Sequence, residues 1–126
     1  MSERRILQPG TDHPITVEPA GGTVRVTLHD HVIAESSDAL VLKEANYPPV
    51  YYLPPDSADQ SALIASAHTT HCPYKGDASY YGIDSGGTEL ADKVWCYRTP
   101  YPAVASIADH LAFYPDAVDI EFTPAD

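Results

Sequence analysis

Residues 68–81 read His68-Thr69-Thr70-His71-Cys72-Pro73-Tyr74-Lys75-Gly76-Asp77-Ala78-Ser79-Tyr80-Tyr81, which sets two imidazoles, a thiol, an amine, a carboxylate and three phenols side by side. Cys72 precedes a proline, so its backbone is biased to an extended conformation. A thiol becomes a nucleophile where a neighbouring imidazolium or ammonium lowers its pKa. His68, His71 and Lys75 are the neighbours at hand, so Cys72, Lys75 and His68 are the catalytic candidates. Packing is the competing reading, since an unbonded cysteine commonly behaves as a small buried hydrophobe.

His68-x-x-His71-Cys72 also offers three donors to a metal. Structural zinc sites usually pair cysteines two to four residues apart, and no Cys-x-x-Cys occurs here. No metal and no cofactor is expected. Lys75-Gly76-Asp77 has the makings of an anion-binding turn, because glycine lets backbone N–H groups approach and lysine adds charge. The P-loop pattern is absent: no earlier glycine stands at the required spacing, and neither Ser nor Thr follows the lysine. Asp116 and Asp119 are the acids nearest to a metal-holding pair, but solvated acids are common in so acidic a chain.

The aromatic residues form a second candidate group. Tyr51/Tyr52 and Tyr80/Tyr81 each place one ring on either face of a strand, so one of each pair enters the core and the other is free to line a cleft. Trp95 and Tyr97 share a face and Cys96 takes the other. Core packing accounts for most of these rings. The remainder, with polar anchors from the Cys72 run, give the expected ligand site: Tyr51, Tyr52, Thr70, His71, Lys75, Tyr80 and Trp95.

The rest of the chain must position these groups. Its 126 residues fit one domain, read as a flexible arm over 1–12 followed by a single domain over 13–126. Apolar residues make up 44%, enough for a core, while twelve prolines oppose long helices. Val24, Val26 and Leu28 alternate with polar residues as a strand does, and Asp30-His31 reads as the turn into a returning strand over 32–36. Further strands are expected at 39–44, 50–53, 78–83, 93–97 and 120–122, with 77–83 pairing 93–97 across the Asp84–Gly87 turn. A short helix is expected after Asp56 or Ser57, carrying Ala58, Ala62, Leu63 and Ile64 on one side, and one or two helical turns over 107–114. His29 and His31 read as a solvated hairpin tip, and His13 and His110 show no partner. The fold class is therefore mainly β, a compact antiparallel sheet domain with one or two short helices.

A net charge of −11 with seven scattered basic residues excludes a nucleic acid polymer and an anionic membrane as main partners. No apolar run approaches a membrane span and no secretory signal is seen, so a cytoplasmic location with reduced thiols is expected.

Several runs taken in order resemble a known family: His13-Pro14-Ile15-Thr16-Val17-Glu18-Pro19, Tyr47-Pro48-Pro49-Val50-Tyr51-Tyr52, residues 70–81, Trp95-Cys96-Tyr97 and Leu111-Ala112-Phe113-Tyr114. Over residues 13–122 the chain looks like the small bacterial and fungal family known as domain of unknown function 427. That resemblance implies a compact β-sheet domain similar to the Mss4-like, β-tent folds. The family's nucleotidyltransferase label implies a nucleotide-like substrate, yet the Gly-Ser and Asp-x-Asp arrangement of that chemistry is missing here. Three functions stay open on the sequence. The leading one is binding of a small, anionic or nucleotide-like molecule in a polar-aromatic pocket. The others are an enzyme using Cys72 or Lys75, and an interaction or homodimerisation module with a tyrosine-rich face.

Overall fold

The structure, a computed structural model, describes residues 9–11, 13–85 and 87–125. Most of the arm expected over 1–12 lies outside the described residues. Within it, Gly10 pairs with His13 through backbone bonds of 3.2 and 3.1 Å.

Among the described residues, ten strands make three antiparallel sheets, so the fold is mainly β. They are β1 (Ile15–Pro19), β2 (Gly22–Leu28), β3 (His31–Ser36), β4 (Leu40–Glu44) and β5 (Val50–Tyr52), then β6 (Leu63–Cys72), β7 (Gly76–Ser85), β8 (Thr88–Tyr97), β9 (Ala112–Phe113) and β10 (Asp119–Pro124). The sheet orders are β1-β4-β5, β10-β2-β3 and β6-β7-β8-β9. The last of these buries residues from both faces. Ile83, Val94 and Cys96 join Val24, Val26 and Ile33 in one core cluster, while Ala78, Tyr80 and Tyr97 join Leu42 and Tyr52 in another. Strand alternation sends successive residues to opposite clusters.

The β2–β3 turn differs by one residue from the sequence reading. Leu28 pairs with His31, so His29 and Asp30 occupy the turn, with φ of 49° and 65°. A two-residue turn with both φ positive matches the strand twist, and aspartate tolerates that conformation better than most side chains.

The helix expected after Asp56 is replaced by two 3-10 turns, Pro55–Ser57 and Gln60–Ala62, and Leu63 and Ile64 already belong to β6. Asp59 accepts from the Ser61 backbone N–H at 3.1 Å, which caps only the second turn. Ala58 instead forms a bridge with Ala34. The helical turns expected over 107–114 are also displaced. The 3-10 segment is Pro102–Ile107, and Ala112–Phe113 pairs with Val94 and Trp95 at the sheet edge. No helix is long and apolar enough to cross a membrane among the described residues.

Candidate functional site

The β1–β4 register places Ile15 opposite Glu44, which brings His13 beside that carboxylate. Three residues, Pro73 to Lys75, join β6 to β7, with Cys72 paired to Gly76. Gly76 has φ 112°, a conformation that side-chain-bearing residues rarely adopt, so glycine makes this short hairpin feasible. The Lys75 carbonyl accepts from the Tyr101 N–H at 3.0 Å, fixing the hairpin tip against the Pro102–Ile107 segment.

These two devices assemble a polar trio. Lys75 Nζ donates to Glu44 Oε1 at 2.5 Å, and His13 Nε2 lies 2.7 Å from Glu44 Oε2. The Lys75 and Glu44 side chains are each 13% exposed. Burial alone would raise the Glu44 pKa, but the bonds and charges of Lys75 and His13 outweigh it and hold the carboxyl below its usual range. The His13 ring stacks on Tyr74 at 3.9 Å and meets Tyr47 at 6.5 Å.

Beside this trio opens a cleft of about 640 Å³. Glu44 and Lys75 line it, and the loop Tyr47-Pro48-Pro49 with Val50 and Tyr51 forms one wall. Trp95, Phe113, Pro115 and Ile120 supply the other lining. The aromatic floor is held from behind. Trp95 Nε1 donates to the Tyr52 hydroxyl at 3.2 Å, and the two rings meet edge-on at 6.3 Å. Tyr114 packs on Trp95 at 4.7 Å. Tyr52 and Tyr97 lie deep in this cluster, and burial pushes both phenols far above their usual pKa, so they stay neutral.

Of the expected ligand residues, Tyr51, Lys75 and Trp95 line the cleft, while Tyr52 and Tyr80 lie in the core behind it. Thr70 and His68 share the sheet face of Tyr80: the Thr70 hydroxyl is 2.9 Å from Tyr80 OH, and the His68 ring is 4.6 Å from the Tyr80 ring. Cys72 packs against the same cluster. His71 points to the opposite face, where Nδ1 lies 2.8 Å from Asp77 Oδ1. The three residues weighed as metal donors, His68, His71 and Cys72, are thus divided between two faces of β6. No group of three or more His, Cys, Asp or Glu able to hold a metal occurs among the described residues.

Glu44, His13 and the Phe113–Pro115 wall were not expected from sequence. His13 and Glu44 are 31 residues apart, and only strand pairing joins them. The one local signal was the proline-bracketed Tyr47–Tyr52 run, of which residues 47–51 line the cleft.

Both cysteines are free. Cys96 is 2% exposed and burial raises its pKa, whereas Cys72 is partly exposed. Iodoacetamide on the native protein at neutral pH should therefore alkylate Cys72 well ahead of Cys96, as read by peptide mass spectrometry. Equal labelling of the two thiols would contradict this packing.

No curated protein matches the chain. Residues 16–124 match the family described as a domain of unknown function (DUF427, NTP_transf_9), a span that holds the proline-aromatic wall and every strand from β2 to β10, and the chain belongs to this family.

Proposed function

We infer that the protein binds a small, largely apolar, ring-bearing molecule in the cleft, with one polar group of the ligand directed at Lys75 and Glu44. The observation that carries this reading is the lining itself. Prolines and aromatic rings surround a single ion pair in a volume suited to a drug-sized ligand, for which pockets run to roughly 300–1,000 Å³. Tyr47 is 65% exposed at the rim, so a ligand ring stacked there would remove apolar surface that the fold leaves in water.

The charge pattern narrows the ligand class. Lys75 is already engaged by Glu44, so an anion approaching it would also meet a carboxylate. A neutral ligand with a hydrogen-bonding group avoids that repulsion, and this favours neutral heterocycles or phenol-like molecules over nucleotides and sugar phosphates.

The test is a thermal-shift screen of neutral ring compounds, nucleotides and carboxylates, run on wild type and Tyr47→Ala. The substitution should alter stability by less than about 0.5 kcal/mol, as exposed positions usually do. Affinity for the neutral hits should fall about tenfold or more, since stacked aromatic anchors are worth roughly 1–3 kcal/mol. Hits confined to nucleotides would contradict the neutral-ligand reading, and hits indifferent to Tyr47 would remove the cleft as the site.

A further inference from the structure

A second chemical constellation lies away from the cleft, where the β2–β3 turn, the start of the Gln60–Ala62 turn and the tip of the β7–β8 hairpin meet. Asp59 Oδ2 is 3.0 Å from His31 Nε2, and His31 Nδ1 is 2.8 Å from Ser85 Oγ. A carboxylate has no proton to give, so in the neutral imidazole the Nε2–H must donate to Asp59. Nδ1 then carries the lone pair and accepts from the Ser85 hydroxyl. Hydrogen-bond chemistry alone therefore fixes the tautomer in which a base faces a serine.

The acid is held in turn. Asp59 Oδ1 accepts from the Ser61 hydroxyl at 2.6 Å and from its backbone N–H at 3.1 Å. These bonds, with those of His31, keep the Asp59 carboxyl below its usual pKa. Ser85 is only 5% exposed, yet it borders an open cleft of about 520 Å³ with His29, His31 and Thr88. Strand ends carry Ser85 and His31, so the geometry rests on rigid elements.

We propose that Ser85, His31 and Asp59 form a serine-nucleophile site for small carboxylic esters. Ser85 Oγ attacks the acyl carbon while its proton passes to His31 Nδ1, the role of the general base in such triads. The acyl–alkoxy bond breaks, the alkoxide takes that proton from His31 and leaves as an alcohol. Water then cleaves the acyl-serine by the same route, releasing the acid and restoring the serine. Relative to the familiar triad the two ring nitrogens exchange roles, but the order carboxylate, imidazole, hydroxyl is kept.

The probe is an alkyl fluorophosphonate, whose P–F bond is replaced by a P–Oγ bond as fluoride leaves. Intact-mass and peptide spectra of the native wild-type protein should show one adduct, located on Ser85. Ser85→Ala should abolish it, and His31→Ala should slow labelling at least about 100-fold, the lower range for a general base. Should His31→Ala fail to fold, Asp59→Asn at its partly exposed position decides instead, with labelling slowed at least about tenfold. A folded wild type that takes up no phosphonate on Ser85, or labels equally fast in Asp59→Asn, would overturn the proposal and leave a purely structural clip.

Discussion

Glu44→Ala should destabilise the protein by about 2–3 kcal/mol in urea or thermal unfolding. The substitution strands the Lys75 ammonium, 13% exposed, without its carboxylate and removes the acceptor that holds His13. Breaking a fully buried pair costs roughly 3–5 kcal/mol and an exposed pair less than about 1, so an intermediate value is expected here. Replacing both partners, Glu44→Gln with Lys75→Met, should recover much of the loss, because no uncompensated charge remains. The same pair has a pH signature. The folded-state pKa of Glu44 is lowered, so its contribution is complete above the ordinary glutamate value of about 4.3. It is lost as pH falls below that value and through the folded one. Glu44→Gln should therefore flatten the acid side of the stability profile. An unchanged acid limb would mean that the ion pair contributes nothing.

Tyr52→Ala should cost more, about 3–5 kcal/mol, the usual range for truncating a buried aromatic side chain. Tyr52 is 1% exposed, and its hydroxyl accepts the Trp95 indole N–H. Tyr52→Phe separates these roles. It keeps the packing and leaves the indole N–H unpaired, so the loss should be about 1 kcal/mol. Urea unfolding of both variants checks the order. A Phe variant as unstable as the Ala variant would place the stabilisation in the hydrogen bond and not in the ring.

Strands with one buried face were legible in the sequence. The alternation Val24, Val26, Leu28 is core-facing throughout, and the chain returns as β3 and closes with β10 on β2. The paired tyrosines were legible for the same reason: Tyr52 and Tyr80 are buried, while Tyr51 and Tyr81 remain partly open. Strand β6 was not legible, because it is an edge strand with exposed residues on both faces and shows no period of two. The apolar spacing of Ala58, Ala62 and Leu63 mimics a helix, yet Ala58 is fixed by its bridge to Ala34. Ala112–Phe113 was obscured because its two residues face different core clusters and both are buried.

The lining of the candidate cleft was half legible. Tyr51, Lys75 and Trp95 could be named from local runs, since each lies in or beside a conspicuous aromatic segment. Glu44 and His13 could not, because their meeting depends on the register between β1 and β4. Lys75 consequently changes meaning. In sequence it stands as a free cation beside a glycine, and in the fold it is the partner of a part-buried carboxylate.

Trp95 is the sole tryptophan of the chain and lines the cleft, so its emission reports directly on that surface. The decisive measurement is a tryptophan-fluorescence titration with the neutral ring compounds that stabilise the protein. Ligand binding in the cleft predicts a saturable change in Trp95 emission, with a Kd about tenfold or more weaker in Tyr47→Ala. Compounds that raise the melting temperature yet leave Trp95 emission unchanged would contradict the cleft as the binding site.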